Sequence, residues 1–276
     1  VAQRLGLTKA TISSIVQTLL DRQLVREIGS DDTKRGRKPI LLELNRQCAY
    51  SISIDLSADY ITLFSANLMG ENCSLKQLEN HESQSTILPC LVRMIEEMQR
   101  SLPDSVYGLV GICIGIHGVV HDNQLVFVPY SPYQGLDFSG VLEKHFQVPV
   151  LVENEANLSA LGEWAYCFHT KNMLSISIHS GIGLGIIMDD QLITGQNGYA
   201  GEFGHTIISI DGRPCPCGNQ GCLEQYGSER ALLRELSGEK GYKITAEHFM
   251  YLYQNKDPDA LHTMELFVKY MSIAIS

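Results

Sequence analysis

Three cysteines and a histidine place the tightest constraint on this chain. Cys215, Cys217 and Cys222 fall within eight residues, in the run Cys-Pro-Cys-Gly-Asn-Gln-Gly-Cys, and His205 stands ten residues before the first of them. Cysteine is common in protein cores as a small apolar residue. Three thiols this close, with proline and glycine between them, instead predict a backbone wrapped around a metal ion. His205, Cys215, Cys217 and Cys222 together satisfy tetrahedral Zn²⁺, and four protein ligands leave no position for a reactive water, so the ion is expected to be structural. The other five cysteines are scattered and no secretion signal opens the chain. That usage fits a reducing, cytoplasmic compartment, where clustered thiols point to metal before disulfide.

Carboxylates flank the same segment. Glu202 precedes His205 in Gly-Glu-Phe-Gly-His, and Glu224 follows Cys222 in Cys-Leu-Glu. A loop pinned by metal would hold both side chains rigidly. Fixed Glu and Asn groups are what a sugar's hydroxyls require. The metal would also fix the His205 tautomer, freeing its other nitrogen to meet a hydroxyl. The plainer reading is a pair of surface glutamates.

The surrounding pattern is α/β. Val106–Ile114 and Val148–Val152 are apolar runs expected as buried strands. Each ends in a polar or glycine-rich turn: Gly115-Ile116-His117-Gly118 after the first, and Glu153-Asn154-Glu155-Ala156-Asn157, leading to a helix over Leu158–Tyr166, after the second. Met173–Ile178 runs into His179-Ser180-Gly181-Ile182-Gly183. Strands that end this way place ligands at their carboxyl ends.

The first 46 residues differ in charge. They carry a net +4, whereas the remainder carries −14 of the chain's overall −10. A basic head on an acidic body suggests that one end meets a polyanion. In the head, Thr8 is a plausible cap for a helix whose Ile12, Ile15, Val16, Leu19 and Leu20 recur at helical spacing. Thr8, Lys9, Thr11, Ser13, Ser14 and Gln17 would face outward, and short polar side chains suit a helix pressed into the major groove. Two strands, Leu24–Ile28 and Ile40–Leu44, bracket a loop in which Arg35, Arg37 and Lys38 surround a glycine and would reach phosphates or a narrow minor groove. The plainer reading is an amphipathic helix beside a solvated basic loop. The chain opens on Val1 with a helical pattern under way, and residues are expected to precede it. The helix over Leu261–Ser276 ends without a capping signal. No run of eighteen apolar residues is present to span a membrane.

Taken together, Gly198–His205 and Cys215–Glu224 resemble the signature of the ROK family (repressors, open reading frames and kinases), and residues 1–45 resemble the winged helix-turn-helix of its repressor branch. The resemblance implies an N-terminal winged helix-turn-helix (residues 1–46) followed by a two-lobed, actin-like or ribonuclease H-like sugar-kinase fold. The first lobe would take residues 47–152 and the second 153–276. It also implies zinc on His205, Cys215, Cys217 and Cys222, and sugar contacts from Gly118, Asn154, Glu155, Glu202, His205 and Glu224. Glu155 falls where the family's kinases carry an aspartate base. Ser180–Gly183 resembles their second phosphate loop.

The first phosphate loop of those kinases, Asp-x-Gly-Gly-Thr-Lys, is replaced here by Asp55-Leu56-Ser57-Ala58-Asp59-Tyr60. Both glycines are lost, so backbone N–H groups cannot approach phosphates closely. Asp59 adds negative charge where a triphosphate would lie. Glu155 is one methylene longer than the aspartate, a misplacement of about 1 Å that can cost on the order of 10²-fold in rate. The expectation is therefore a non-enzymatic, sugar-responsive repressor that binds operator DNA as a homodimer or larger assembly. Its effector would be a monosaccharide, of xylose or glucose type. The competing expectation is an ATP-dependent sugar kinase with a DNA head, and a further partner would be a phosphotransferase-system protein.

Overall fold

The computed structural model describes residues 2–30 and 40–276. The basic loop residues Arg35, Arg37 and Lys38 lie outside the described residues. Among the described residues, no helix is long and apolar enough to cross a membrane. By internal contacts the chain divides into two compact units.

The first unit comprises residues 1–54, 60–113 and 140–151. It opens with α1 (Ala2–Leu5), Gly6 in the left-handed region, and α2 (Lys9–Asp21). Thr8 caps α2 as expected: its hydroxyl accepts the Thr11 N–H at 3.1 Å, satisfying one of the N–H groups that a helix start leaves unpaired. Strands β1 (Val25–Ser30) and β2 (Ile40–Leu44) pair antiparallel from Val25↔Leu44, with a bulge between Glu27 and Gly29. Asn45 donates its side-chain amide to the Gln23 carbonyl at 2.8 Å and ties the hairpin's end to the end of α2. The apolar stripe on α2 exists, but none of its residues is fully buried.

The core of this unit is a sheet whose strand order is β5-β4-β3-β6-β9: β3 (Tyr50–Leu56), β4 (Tyr60–Asn67), β5 (Ser74–Glu79), β6 (Leu109–Ile116) and β9 (Val150–Asn154). The ends of β3, β6 and β9 belong to the second unit. The strands are apolar at alternate positions: Tyr50, Ile52, Ile54 and Leu56 are all buried. Helix α3 (Ile87–Ser101) covers the sheet with Ile87, Cys90, Leu91, Met94, Ile95 and Met98, a spacing of three and four residues that puts them on one stripe.

The second unit comprises residues 55–59, 114–139 and 152–276. It holds the hairpin β7 (Val119–His121) and β8 (Gln124–Phe127), and α4 (Phe138–Phe146) begins in it. Helix α5 (Glu155–Glu163) continues into a π-helical turn, Trp164–Phe168. Strands β10 (Met173–Ile178), β11 (Ile182–Met188) and β12 (Gln191–Leu192) form an antiparallel sheet. Helices α6 (Glu224–Gly227), α7 (Glu229–Lys240), α8 (Ala246–Gln254) and α9 (Pro258–Ile275) follow. Leu232, Leu236, Ile244, Phe249 and Ala260 form the helices' own apolar cluster.

Helix α5 starts three residues earlier than its apolar pattern suggests. Asn154 is its N-cap, with Oδ1 accepting the Asn157 N–H at 3.1 Å, an interaction generally worth about 1 kcal/mol. Asn154 and Glu155 are thereby held at a helix start and not in a loose turn.

Candidate functional site

The expected cluster is assembled in the second unit. The donor atoms of His205, Cys215, Cys217 and Cys222 all lie within 4.8 Å of one another. Cys217 Sγ and Cys222 Sγ are 3.7 Å apart, and Cys215 Sγ is 3.6 Å from His205 Nδ1. A tetrahedron with metal–sulfur arms of about 2.3 Å and a metal–nitrogen arm of about 2.05 Å has edges of about 3.8 and 3.6 Å. These two distances match edges of such a tetrahedron, and the four donors could hold one divalent ion. Burial pushes the Cys222 thiol up to about 12, with the neighbouring cysteines adding to the rise. Thiols packed this way need a cation to be held as thiolates. The local fold explains the arrangement. His205 closes a single 3₁₀ turn, Phe203–His205. The segment bearing the cysteines is stitched by Cys215 N–H to Asn219 O at 2.9 Å and Gly221 N–H to Arg213 O at 2.8 Å.

Nδ1 of His205 faces the sulfurs and Nε2 faces outward, 3.7 Å from Glu202 Oε2. The two ring nitrogens thus have separate surroundings, one at the cluster and one in a pocket. The pocket is open at its mouth, with an empty volume of about 850 Å³ including solvent there. Its wall includes Gly118, Asn154, Glu155, Glu202, His205 and Glu224. All six residues read from the sequence as sugar contacts therefore line one pocket.

Glu224 is the most enclosed of these groups, only 5% exposed. Oε1 accepts a short hydrogen bond from the Tyr130 hydroxyl, and Oε2 accepts the Ile182 N–H at 3.3 Å. Gly181 is glycine for a steric reason: a Cβ there would sit 2.6 Å from Glu224 Oε2. Burial pushes the Glu202 carboxyl up; the charge of His205 pulls it down and that of Glu224 raises it further. Asn154 Nδ2 donates to the Gly118 carbonyl at 2.8 Å, joining two pocket segments. With Oδ1 engaged at the helix cap, Asn154 offers the pocket one remaining N–H. Glu155 Oε1 accepts the Ser159 hydroxyl at 3.1 Å.

Several pocket residues escaped the sequence reading. Tyr130 seals Glu224, and the Arg230 guanidinium lies 5.3 Å from the centre of the Tyr130 ring. His117 Nε2 is 3.1 Å from Asp55 Oδ1. Burial alone would lower the His117 pKa, but the Asp55 hydrogen bond and charge, helped by Glu155 against Arg230, raise it above the ordinary histidine value. The prolines on either side of Tyr130-Ser131 were the available signal for a shaped wall.

Two glycines of β11 face helix α5. A Cβ on Gly183 would sit 2.5 Å from Ala156 Cβ, and one on Gly185 would sit 2.2 Å from Ala160 Cβ. These glycines let α5 pack directly on β11. Ser57 and Ala58 stand at the edge of the pocket, next to Asp59 in the chain.

On α2, Lys9, Thr11, Ser13, Ser14 and Gln17 are exposed together with Thr8. The Thr8 and Thr11 hydroxyls are 2.8 Å apart, and Gln17 Nε2 donates to Asp21 Oδ1 at 2.8 Å.

The second unit therefore carries a pocket of acidic and amide groups beside a Cys₃His cluster. The ROK family model matches residues 51–276, and the chain belongs to the ROK family. It is 38% identical over 276 residues to the xylose repressor of Bacillus spizizenii, covering 98% of this chain and 71% of that protein. Among solved structures it resembles a ROK family transcriptional regulator described as a homologue of the Escherichia coli MLC protein, with a TM-score of 0.83 and 27% identity, over 99% of this chain and 73% of that one. It also resembles a Streptomyces griseus ROK glucokinase in complex with glucose and AMPPNP, with a TM-score of 0.72 and 25% identity, over 82% of this chain and 78% of that one.

Proposed function

We propose that this chain is a sugar-responsive transcriptional repressor that binds a monosaccharide of xylose or glucose type without phosphorylating it. The observation that carries the reading is the enclosed Glu224 carboxylate, which shares one pocket with Glu202, Glu155, Asn154 and the outward nitrogen of His205. Carboxylates accept, and the amide donates, so the set suits a polyol ring. The likeness to xylose repressors favours the same class of effector.

In this reading the four-ligand cluster holds structural Zn²⁺. Zinc would supply no chemistry to the pocket beyond fixing the segment that carries Glu202, His205 and Glu224. The α2 face of Lys9, Thr11, Ser13, Ser14 and Gln17, together with Thr8, would enter the DNA major groove as part of a winged helix-turn-helix. Arg35, Arg37 and Lys38 would meet its backbone. A homodimer would present two such heads to a pseudo-palindromic operator. For the sugar to control DNA, it must bind one conformation of the repressor better than the other.

A kinase reading is favoured by the resemblance to the glucokinase with bound AMPPNP. Two observations count against it. Gly183 and Gly185 are explained by contact with Ala156 and Ala160. The segment from Asp55 to Tyr60 offers two carboxylates and no lysine toward a triphosphate. The test of repression is fluorescence anisotropy of operator duplex bound by the chain, titrated with xylose, glucose and N-acetylglucosamine. At least one sugar should change DNA affinity several-fold. No response to any sugar, with calorimetry also silent, would refute the effector role.

A further inference from the structure

Helix α6 brings the pocket and the metal cluster onto consecutive residues. Glu224 turns to the pocket, while the next residue, Gln225, turns to the cysteines. Gln225 Nε2 lies 3.6 Å from Cys215 Sγ. Its Oε1 accepts from Arg234 Nη1 at 3.4 Å. Its backbone carbonyl accepts from Arg234 Nη2 at 2.7 Å and from Arg213 Nη1 at 3.0 Å. Arg213 is itself fixed by Glu235 at 2.5 Å and by the Tyr226 ring, 4.7 Å from its guanidinium carbon.

This network decides which way the amide points. Guanidinium groups only donate, so the end of Gln225 that faces Arg234 must be the oxygen. The N–H end is thereby aimed at the sulfur, an assignment made from hydrogen-bond partners as amide orientations must be. Three thiolates and a neutral imidazole around a divalent cation carry one net negative charge. An N–H directed at the sulfur of Cys215, a residue only 7% exposed, offsets part of it.

We propose that Gln225 is a positioning residue for the metal: oriented by Arg234, it donates its side-chain N–H to Cys215 and holds that sulfur in place as a ligand. The proposal rests on the metal reading of the Cys₃His cluster and on nothing about sugar or DNA. Groups that hydrogen-bond to ligands typically contribute about 10- to 100-fold to metal affinity. The arrangement also gives Arg234, remote from the cysteines in the chain, a reason for its place.

The experiment uses the full chain, loaded with Zn²⁺ or Co²⁺, as wild type and as Gln225→Met and Gln225→Glu. Glu keeps the length and the Arg234 contact but offers no N–H; Met removes both. Both variants should release metal to excess chelator about 10- to 100-fold faster than wild type. Their Co²⁺ forms should show the thiolate-to-metal charge-transfer band at lower energy, because a sulfur without its hydrogen bond is a stronger electron donor. Far-ultraviolet circular dichroism should be unchanged. The proposal is overturned if release rates match wild type, or if release quickens while the band stays at its wild-type energy, which would mean a packing role only. If the wild-type chain takes up no stoichiometric Co²⁺ with a tetrahedral spectrum, the metal reading itself fails, an outcome separate from the other two.

Discussion

Helix α2 and the pocket are built on opposite principles. None of the described α2 side chains is fully buried, and Ile15 is 44% exposed. In the pocket Glu224 is 5% exposed, with both oxygens engaged by protein groups. One region keeps its polar groups at the surface, as the proposed contact with a large polyanion would require. The other fixes a few polar groups in advance, as the proposed selection among small polyols would require. The lesson is that changes in the pocket should act through lost order, and changes on α2 through lost charge or shape.

The largest effect is expected at the metal ligands. Cys215→Ser or Cys222→Ser should abolish stoichiometric metal and lower the melting temperature by many degrees, since structural zinc sites contribute on the order of 10 kcal/mol in small domains. Metal analysis and thermal unfolding check this. Retention of metal and of sugar binding would break the contrast, because the pocket would then not depend on the ordered segment. Next comes Glu224→Gln, which should weaken sugar binding roughly 10- to 100-fold, the usual range for losing hydrogen bonds to a charged group. DNA affinity without sugar should be unchanged. Calorimetry and anisotropy separate the two.

On the head, Ser13→Glu should weaken operator binding about tenfold through repulsion of phosphates, more so at low salt. Melting temperature and sugar affinity should stay at wild-type values. An equal loss of sugar affinity would show that α2 is not the independent surface described. The smallest effect concerns His117. Its folded pKa lies above the unfolded value, so its stabilisation is complete below about pH 6.5 and declines as pH rises through the folded pKa. His117→Asn should flatten the dependence of melting temperature on pH just above that value, by a degree or two. An unchanged slope would mean that the Asp55 contact contributes nothing.

What was legible in the sequence follows from locality. The metal ligands and both flanking carboxylates lie within 23 residues, from Glu202 to Glu224, and their chemistry marks them without a fold. The Thr8 cap and the strand over Met173–Ile178 were legible because caps and alternation act over a few residues. Tyr130 and Arg230 were not, since Tyr130 meets Glu224, and Arg230 meets Tyr130, only through the tertiary fold. The start of α5 was misjudged because apolar spacing begins after Asn157, whereas the helix is set by a polar cap at Asn154. The packing constraint on Gly183 and Gly185 was not legible, because the alanines of α5 that impose it lie some 25 residues earlier in the chain. Gln225 carried no chemical signal of its own; the role proposed for it rests on the Arg234 contact to its side chain, which only the tertiary fold makes.

The decisive measurement follows ³¹P spectra of the metal-loaded chain with MgATP and saturating xylose, glucose or N-acetylglucosamine in turn. A sugar-binding repressor predicts an unchanged ATP spectrum in the presence of a sugar that calorimetry shows to be bound. Appearance of a sugar phosphate and ADP at about 1 s⁻¹ or faster, within the ordinary enzyme range, would contradict it and make the pocket an active site.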